Sequence, residues 1–243
     1  MPHRLVIIGE ERFADPVAQI VHLVSDEEAN NFLNNLEESS YAFVLACLMD
    51  RQIKAERAWI IPFKVCESLQ IFNIQDLYLI PKSEIHEVFV RKRLHRFNDK
   101  MSDIFFNGIK DIIEKYDGDA KKIWSNSPSS ALVVYRFLEF KGSGIKISTM
   151  AANILARQFR IQFSDYYSVD ISPDTHIVRV LKRTGIVSKD ANKNMIIFKA
   201  RELNPEFPGI IDYSCWEIGR KWCHSRNPDC ENCLINNSCD KLI

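Results

Sequence analysis

The sequence predicts an all-α protein, and three features of its 243 residues carry the prediction. Apolar residues recur at helical spacing within 41–69, 104–113 and 131–140, as they do in helices that bury one face. Strand-like alternation of apolar and polar residues is scarce. Prolines stand where such helices would begin or end, and they are Pro62, Pro81, Pro128, Pro173, Pro205, Pro208 and Pro228.

The helical segments can be justified in order along the chain. An acidic helical pattern covers 26–36, and we expect it, together with the short apolar stretch 5–8, to pack outside the main helical bundle. The long apolar pattern of 41–69 opens that bundle, and the two segments after it continue the bundle. A further helical pattern, 147–159, follows a turn that contains two glycines.

Composition excludes several classes of protein. At 46% hydrophobic residues the chain can bury a core, and no apolar run approaches the roughly 18 to 20 residues of a membrane helix. The first residues lack a secretory signal pattern. Cys47, Cys66 and Cys215 stand alone in apolar surroundings, which is typical of core thiols in a reducing compartment. We therefore expect a cytoplasmic protein, nucleoid-associated if the source is a prokaryote, without contact to a membrane.

The net charge is zero, but the charges are unevenly distributed. Residues 1–40 hold eight acidic side chains against two arginines, which gives −6 there and +6 in the remainder. A basic group can supply phosphate contacts, or it can be a solvated helix face. The densest group in this chain consists of Arg91, Lys92, Arg93, Arg96 and Lys100.

Four cysteines near the end of the chain have the spacing of a metal site. Cys223, Cys230, Cys233 and Cys239 form the pattern C-x6-C-x2-C-x5-C. Thiolates favour zinc or iron-sulfur over magnesium, calcium or manganese. A zinc ribbon has two separate C-x2-C pairs, and a bacterial ferredoxin has C-x2-C-x2-C-x3-C. The spacing matches neither, so both metals remain open from the residues alone.

Two further segments carry side chains that suit chemistry. Gly142 and Gly144 form a Gly-x-Gly turn before a helix, and such a turn can present bare amides to a phosphate or serve for turning only. Lys146 follows two residues later. Asp174 precedes the helical pattern that begins at Thr175, where an aspartate can cap the helix or act as a catalytic carboxylate.

Taken together, these motifs resemble the endonuclease III superfamily of helix-hairpin-helix DNA glycosylases. The cysteine spacing is that of the [4Fe-4S] loop in endonuclease III and its adenine-glycosylase relatives. The turn resembles the family text Leu-Pro-Gly-Val-Gly-x-Lys, although Lys141 stands where the family has proline. The segment 169–180 resembles the family text Val-Asp-Thr-His-x-x-Arg-Val. The resemblance covers about residue 40 to the end.

The resemblance implies roles for individual residues. Lys146 falls on the nucleophilic lysine of the family and Asp174 on its catalytic aspartate, the two facing each other across an interdomain cleft. Alternatively, Lys146 is an exposed lysine at a helix start or a phosphate contact. The segment 162–172 contains an insertion relative to the family, so Asp170 is a rival for the carboxylate. The cluster ligands implied are Cys223, Cys230, Cys233 and Cys239.

The resemblance also implies a surface for DNA. Gln52 matches the glutamine that enters the space left by a target nucleotide rotated out of the duplex, or it lies on a solvated helix end. The residues expected to bind DNA are Gln52, Gly142, Gly144, Lys141, Arg91 and Arg93.

The fold implied is the two-domain helix-hairpin-helix glycosylase fold, with a helical bundle at 40–158 and a cluster domain of 1–39 plus 159–243. The function implied is excision of a damaged, modified or mismatched base from double-stranded DNA by a monomer, with abasic-site lyase activity through a lysine Schiff base. Three alternatives stay open. They are a monofunctional glycosylase that uses Asp174 and water, a redox protein, and a non-catalytic iron-sulfur protein that binds DNA.

Overall fold

A computed structural model of the chain describes residues 2–15, 20–165 and 168–242. Within these ranges the regular structure is helical and no strand is present, which confirms the all-α prediction. The α-helices of the described residues are α1 (Pro2–Ala14), α2 (Glu27–Asn34), α3 (Ser40–Met49), α4 (Ala55–Trp59), α5 (Ile61–Leu69), α6 (Ile74–Leu79), α7 (Lys82–Arg91), α8 (Asn98–Tyr116), α9 (Ser130–Leu138), α10 (Ile145–Arg157), α11 (Thr175–Arg183), α12 (Lys193–Leu203) and α13 (Asp212–Lys221). Short 3-10 helices lie at Ala120–Ile123, Pro208–Ile211 and Asn236–Ser238. None of the described helices is both long enough and apolar enough to cross a membrane.

The chain divides into two compact units. The first contains Met1–Val17, Ser129–Ala131 and Ala152–Ile243, and the second contains Ala18–Pro128 and Leu132–Ala151. These units are defined by the contacts inside each of them. The domain boundaries implied by the resemblance to glycosylases stay a prediction.

The second unit is built around α3. All ten residues of this helix are buried, as expected of a helix that is apolar on every side. Helix α8 packs closely on it because Gly108 removes a side chain at the contact: a Cβ there would lie 2.7 Å from Cδ2 of Leu45. The buried end of α3 at Met49 is the point from which the candidate site is built.

Helix α2 also packs in the second unit, on α3 and α5. Its Phe32 ring meets the rings of Tyr41, Phe63 and Phe72 edge to face, with centroids 5.7 to 6.0 Å apart. The side chain of Asp26 accepts a hydrogen bond from the Ala29 N–H and so caps the helix. The acidic helix is therefore part of the packing of this unit, and not outside it as the sequence suggested.

The first unit centres on the packing of α11 against α13. Gly219 allows the close approach, since a Cβ there would lie 2.6 Å from the Cβ of His176. Helix α1 packs on α13 and on the 3-10 helix Pro208–Ile211, where Phe13 meets Phe207 edge to face. This packing fixes the start of α11 and the end of α13, the positions of the candidate aspartate and of the cysteine loop.

Candidate catalytic residues and cysteine site

Lys146 lies in the first turn of α10, and its amine is bound by an acid. Its Nζ is 2.8 Å from Oδ2 of Asp50 and 3.3 Å from the Asp50 carbonyl oxygen. Asp50 is the residue that ends α3, so both acceptors lie at a helix C-terminus, which attracts cations. The side chains of Lys146 and Asp50 are 28% and 12% exposed. The amine is therefore ordered at one place. The side chain is partly exposed, and its roles as nucleophile or as phosphate contact stay predictions.

The two glycines before Lys146 differ in backbone conformation and in the space around them. Gly142 has a φ of +86°, and a Cβ there would lie 2.7 Å from Cδ1 of Ile104. The turn is closed by the Ser143 N–H, which donates to the Phe140 carbonyl at 2.9 Å. Gly144 faces open space, with no atom within 4 Å of a Cβ placed on it. Gly142 is required for the turn itself, whereas Gly144 leaves the start of α10 open to an approaching group.

The turn that follows α3 contacts this hairpin. The Arg51 guanidinium donates a hydrogen bond to the Gly142 carbonyl. Gln52, the next residue, is exposed and has a φ of +52°, a conformation that is uncommon for residues other than glycine and occurs at functional sites. The sequence pointed to Gln52, but it gave no signal for the contacts of Asp50 and Arg51.

The basic group 91–100 presents its charges to solvent. Arg91, Lys92, Arg93, Arg96 and Lys100 are exposed, while the two residues between them, at positions 94 and 95, are buried. The Arg93 carbonyl accepts a hydrogen bond from Arg57 at 2.6 Å, and the φ of Arg93 is +50°. The surface is basic and accessible, as contact with phosphate requires.

Lys141, expected to bind DNA, is partly engaged within the protein. Its Nζ lies 2.9 Å from Oδ2 of Asp103, and Lys82 lies 2.5 Å from the other oxygen of that carboxylate. Hydrogen bonds from Lys82 and Lys141 hold the pKa of Asp103 below its usual value. One of the predicted DNA contacts therefore has an internal partner.

Asp174 caps α11 in the first unit. Its carboxylate accepts a hydrogen bond from the Ile177 N–H at 2.8 Å, and its own N–H donates to the Ser172 carbonyl at 2.7 Å. The structure therefore shows Asp174 as the N-cap of α11, which is one of the two roles that the sequence offered for it. Lys146 belongs to the second unit and Asp174 to the first, and their pairing stays a prediction.

A buried acid lies behind the start of α11. Asp212 accepts a hydrogen bond from the Ser172 N–H at 2.6 Å. Burial raises the pKa of Asp212, while the buried guanidinium of Arg157 opposes that shift. Asp212 was not among the residues predicted for the site, although an aspartate inside the largely apolar stretch 207–218 is a signal that could have identified it.

The rival carboxylate, Asp170, has a partner of its own. Arg201 donates to both oxygens of Asp170, at 2.7 and 2.6 Å. A bidentate pair of this kind orients both side chains. The Asp170 carboxylate is therefore held against Arg201 of α12. Of the insertion around it, residues 166 and 167 lie outside the described residues.

The four clustered cysteines line one cavity in the first unit, together with side chains of α11 and the end of the chain. All four are partly exposed, and none of the seven cysteines forms a disulfide in the described structure. Burial raises the pKa of Cys233 and of Cys239, and the neighbouring thiols raise both further. The spacing seen in the sequence therefore does bring the four sulfur-bearing side chains to one place.

Arg183 organises this loop. Its guanidinium donates to Cys223 Sγ at 3.5 Å, to the His224 carbonyl at 2.5 Å and to the Ser225 carbonyl at 3.1 Å. Its own carbonyl accepts from the Leu242 N–H at 2.9 Å. Arg183 was not identified from the sequence, because nothing in its local pattern separates it from a solvated arginine at a helix end.

The chemistry of the donor set suits a metal held by thiolates. Four cysteine side chains line one cavity, and thiolates are ligands both of iron-sulfur clusters and of structural zinc. Among the described residues, no group of three or more His, Cys, Asp or Glu side chains is arranged to hold a single metal ion.

Comparison with known proteins identifies similar chains. No family model matches this chain. Endonuclease III of Thermotoga maritima is 31% identical over 70 residues, which is 29% of this chain and 33% of the relative. The match thus spans about a third of the length of that curated protein.

Solved structures match over nearly the whole chain. A trapped endonuclease III–DNA covalent intermediate has a TM-score of 0.65 at 17% identity, covering 98% of this chain and 94% of that one. A non-covalent endonuclease III–DNA complex has a TM-score of 0.66 at 16% identity, with 99% and 96% covered. A thermostable thymine-DNA glycosylase has a TM-score of 0.65 at 15% identity, with 99% and 95% covered. At these identities the likeness establishes the fold.

Proposed function

The chain has the helix-hairpin-helix fold of the endonuclease III superfamily, and we propose that it is a DNA glycosylase of base-excision repair. In this proposal it removes a damaged, modified or mismatched base from duplex DNA and cleaves the strand at the abasic site by β-elimination. The observation that carries the proposal is the ordered amine of Lys146 in the first turn of α10, directly after the turn of Gly142 and Gly144.

The proposed DNA surface combines three features of the second unit. The open side of Gly144 lets a phosphate approach the first N–H groups of α10, which have no acceptor within their own helix. The basic group 91–100 supplies further phosphate contacts. Gln52, exposed and held in a strained turn, fills the space left when the target nucleotide is rotated out.

Lys146 would act as the nucleophile. The Lys146 ammonium first gives up a proton, with Asp174 as the acceptor in this proposal. The Nζ lone pair then forms a bond to C1′ of the sugar while the bond from C1′ to the base breaks, and the base leaves with that electron pair. The nitrogen loses a proton, the bond between C1′ and O4′ opens, and O4′ takes up a proton, which leaves an imine cation. Removal of a proton from C2′ then expels the 3′ phosphate. The enzyme is recovered when water hydrolyses the imine.

Asp174 would act as the catalytic carboxylate. A negative charge near the sugar stabilises the cationic character that develops at C1′ as the bond to the base breaks. The same side chain accepts the Ile177 N–H, and this hydrogen bond fixes its orientation. A carboxylate has lone pairs enough to cap a helix and face a substrate together.

The cofactor proposed is a [4Fe-4S] cluster held by Cys223, Cys230, Cys233 and Cys239. Their thiolates are the ligands that such clusters use. Ligation of all four irons by cysteine leaves no open position for a water nucleophile, so the cluster would organise the loop and position DNA. The chemical step is then left to the side chains of Lys146 and Asp174. Iron and sulfide analysis of the purified protein tests this assignment, and zinc without iron would contradict it.

The decisive experiment separates base release from strand cleavage. The purified protein is incubated with duplexes that each carry one lesion or mismatch, and free base and nicked strand are measured separately. Borohydride is added in parallel to trap an imine. We expect base release from at least one duplex and a covalent adduct that Lys146→Ala abolishes but Lys122→Ala, a change at an exposed pair, does not. Duplex binding without release of any base would leave only a DNA-binding protein.

A second candidate is a monofunctional glycosylase that uses Asp174 and water. The ion pair between Lys146 and Asp50 favours it, because an ammonium group has no lone pair for attack until its proton is removed. This enzyme would release base and leave the strand intact, and borohydride would trap no adduct.

A further inference from the structure

Lys146 has a carboxylate partner inside its own unit, and this partner is not the aspartate of the resemblance. We propose that Asp50 is the positioning residue of Lys146, holding the Nζ in register with the hairpin so that the amine is in place when a nucleotide is extruded. The inference rests on the proposed role of Lys146 as nucleophile, and it adds a residue that acts on the lysine without touching the DNA.

The contact differs from the surface ion pairs of the protein. Asp50 is 12% exposed, and it offers Lys146 both a carboxylate oxygen at 2.8 Å and its carbonyl at 3.3 Å. The pair of Lys122 with Asp117 has 45% and 86% of its side chains exposed. Exposed pairs order their side chains weakly, whereas an acid that is almost buried presents a fixed acceptor.

Asp50 is itself fixed by its backbone. Its N–H donates a hydrogen bond to the Cys47 carbonyl at 3.2 Å. Asp50 is the C-cap residue of α3, and the residues of that helix are all buried. The acceptor for Lys146 is therefore attached to the most buried helix of the unit. A lysine has four rotatable bonds and would otherwise sample many positions.

The two residues after Asp50 connect it to the hairpin and to the proposed DNA surface. Arg51 binds the carbonyl of Gly142, so one turn of chain holds both the amine and the turn in front of it. Gln52, proposed to enter the duplex, follows directly. The segment 50–52 thus connects the nucleophile, the hairpin and the inserted side chain within three residues.

Placement of a reacting group has a large effect on rate, and a shift of about 1 Å can lower it by about 100-fold. Loss of Asp50 should therefore slow the formation of the imine without weakening the binding of DNA. Asparagine keeps an oxygen that can accept the Nζ hydrogen bond, so it should restore most of what alanine loses. A change that acted only through folding would follow neither pattern.

The test compares Asp50→Ala, Asp50→Asn and the control Asp117→Ala on a duplex with a preformed abasic site. The single-turnover rate of borohydride trapping is measured at saturating protein, and the Kd for the duplex is measured separately. We expect Asp50→Ala to trap at least about 10-fold more slowly with Kd within about threefold, and Asp50→Asn and Asp117→Ala to stay within about threefold of the original protein. Trapping by Asp50→Ala at the original rate, or equal loss in Asn and Ala, would overturn the proposal.

A second measurement needs no DNA and keeps the proposal testable if the original protein traps nothing, the result that refutes the lyase function. The folded protein is acetylated briefly, and the modification of each lysine is read by mass spectrometry. An amine released from its carboxylate reacts faster, so Lys146 should be modified several-fold faster in Asp50→Ala, with Lys64 and Lys122 unchanged and the melting temperature close to the original. Equal reactivity of Lys146 with and without Asp50 would show that the anchor does not hold the amine in solution.

Discussion

The two side chains proposed for catalysis are held in place in opposite ways. Asp174 is fixed by the helix it begins, through the N–H of a residue three positions later. Lys146 is fixed by Asp50, which lies 96 positions earlier in the chain. The position of the acid is thus a local property of the sequence, whereas the position of the amine depends on how the whole second unit packs. Substitutions at the two residues should therefore differ in their effects on activity and on the free energy of unfolding.

The largest effect is expected at the amine. Lys146→Gln should abolish the borohydride adduct and the β-elimination, because an amide cannot form an imine. The ion pair with the largely buried Asp50 is lost in this variant, so the free energy of unfolding should fall by about 1 to 3 kcal/mol. Trapping assays and urea unfolding measure the two quantities. An adduct that persists would point to a different nucleophile.

Substitution of Asp174 should separate capping from catalysis. Asp174→Asn keeps a favoured cap residue and should cost a few tenths of a kcal/mol of stability, whereas Asp174→Ala should cost about 1 kcal/mol. If the carboxylate acts in the reaction, both variants should lose about 100-fold or more in base release. Full activity of Asp174→Asn would show that Asp174 caps the helix and does not act in the reaction.

The two hairpin glycines should respond in different assays. Gly142→Ala places a Cβ at positive φ and against Ile104, which should destabilise the protein by about 1 to 2 kcal/mol. Gly144→Ala meets no atom, so its stability should change by less than about 0.5 kcal/mol, while its affinity for duplex falls because the Cβ obstructs the approach of a phosphate. Urea unfolding and fluorescence anisotropy of a labelled duplex measure the pair. Equal behaviour of both variants in both assays would contradict the distinction.

The smallest effects are expected in the basic group. Arg91→Ala and Arg93→Ala should each reduce the salt dependence of duplex binding by about one unit of the logarithmic slope. Lys141→Ala should reduce it less, because Asp103 already binds that charge. Titrations at several salt concentrations measure the slopes. A larger change for Lys141 would mean that DNA displaces Asp103 from it.

The helices and the cysteine loop were within reach of the sequence because their signals are local. Apolar spacing marked α3 and α8, Asp174 stood at the start of a helical pattern, and four cysteines within one short segment indicated a single site. Such features depend on a few neighbouring residues, so periodicity and spacing are enough to locate them.

Contacts between distant segments were not within reach. Nothing in the sequence pairs Asp50 with Lys146, Arg51 with Gly142, or Arg201 with Asp170, since each pair is separated by between 31 and 96 positions. The rival role of Asp170 could be weighed only after its bidentate partner was seen. The packing of α2 in the second unit was missed for the same reason, because its Phe32 contacts depend on the three-dimensional arrangement of α3 and α5.

Arg51 and Asp50 meet the hairpin segment across separations of 91 and 96 positions, which bears on when the candidate site assembles during folding. Contacts that close long loops form late, after local helices have appeared. We expect local helices to form before the amine is placed, because its partner Asp50 follows α3 and the contact closes a long loop. A fragment that begins after residue 52 would contain the residues of the hairpin, the basic group and all four clustered cysteines. Without α3 it would lack the buried centre of the second unit, and its lysine would lack a fixed position.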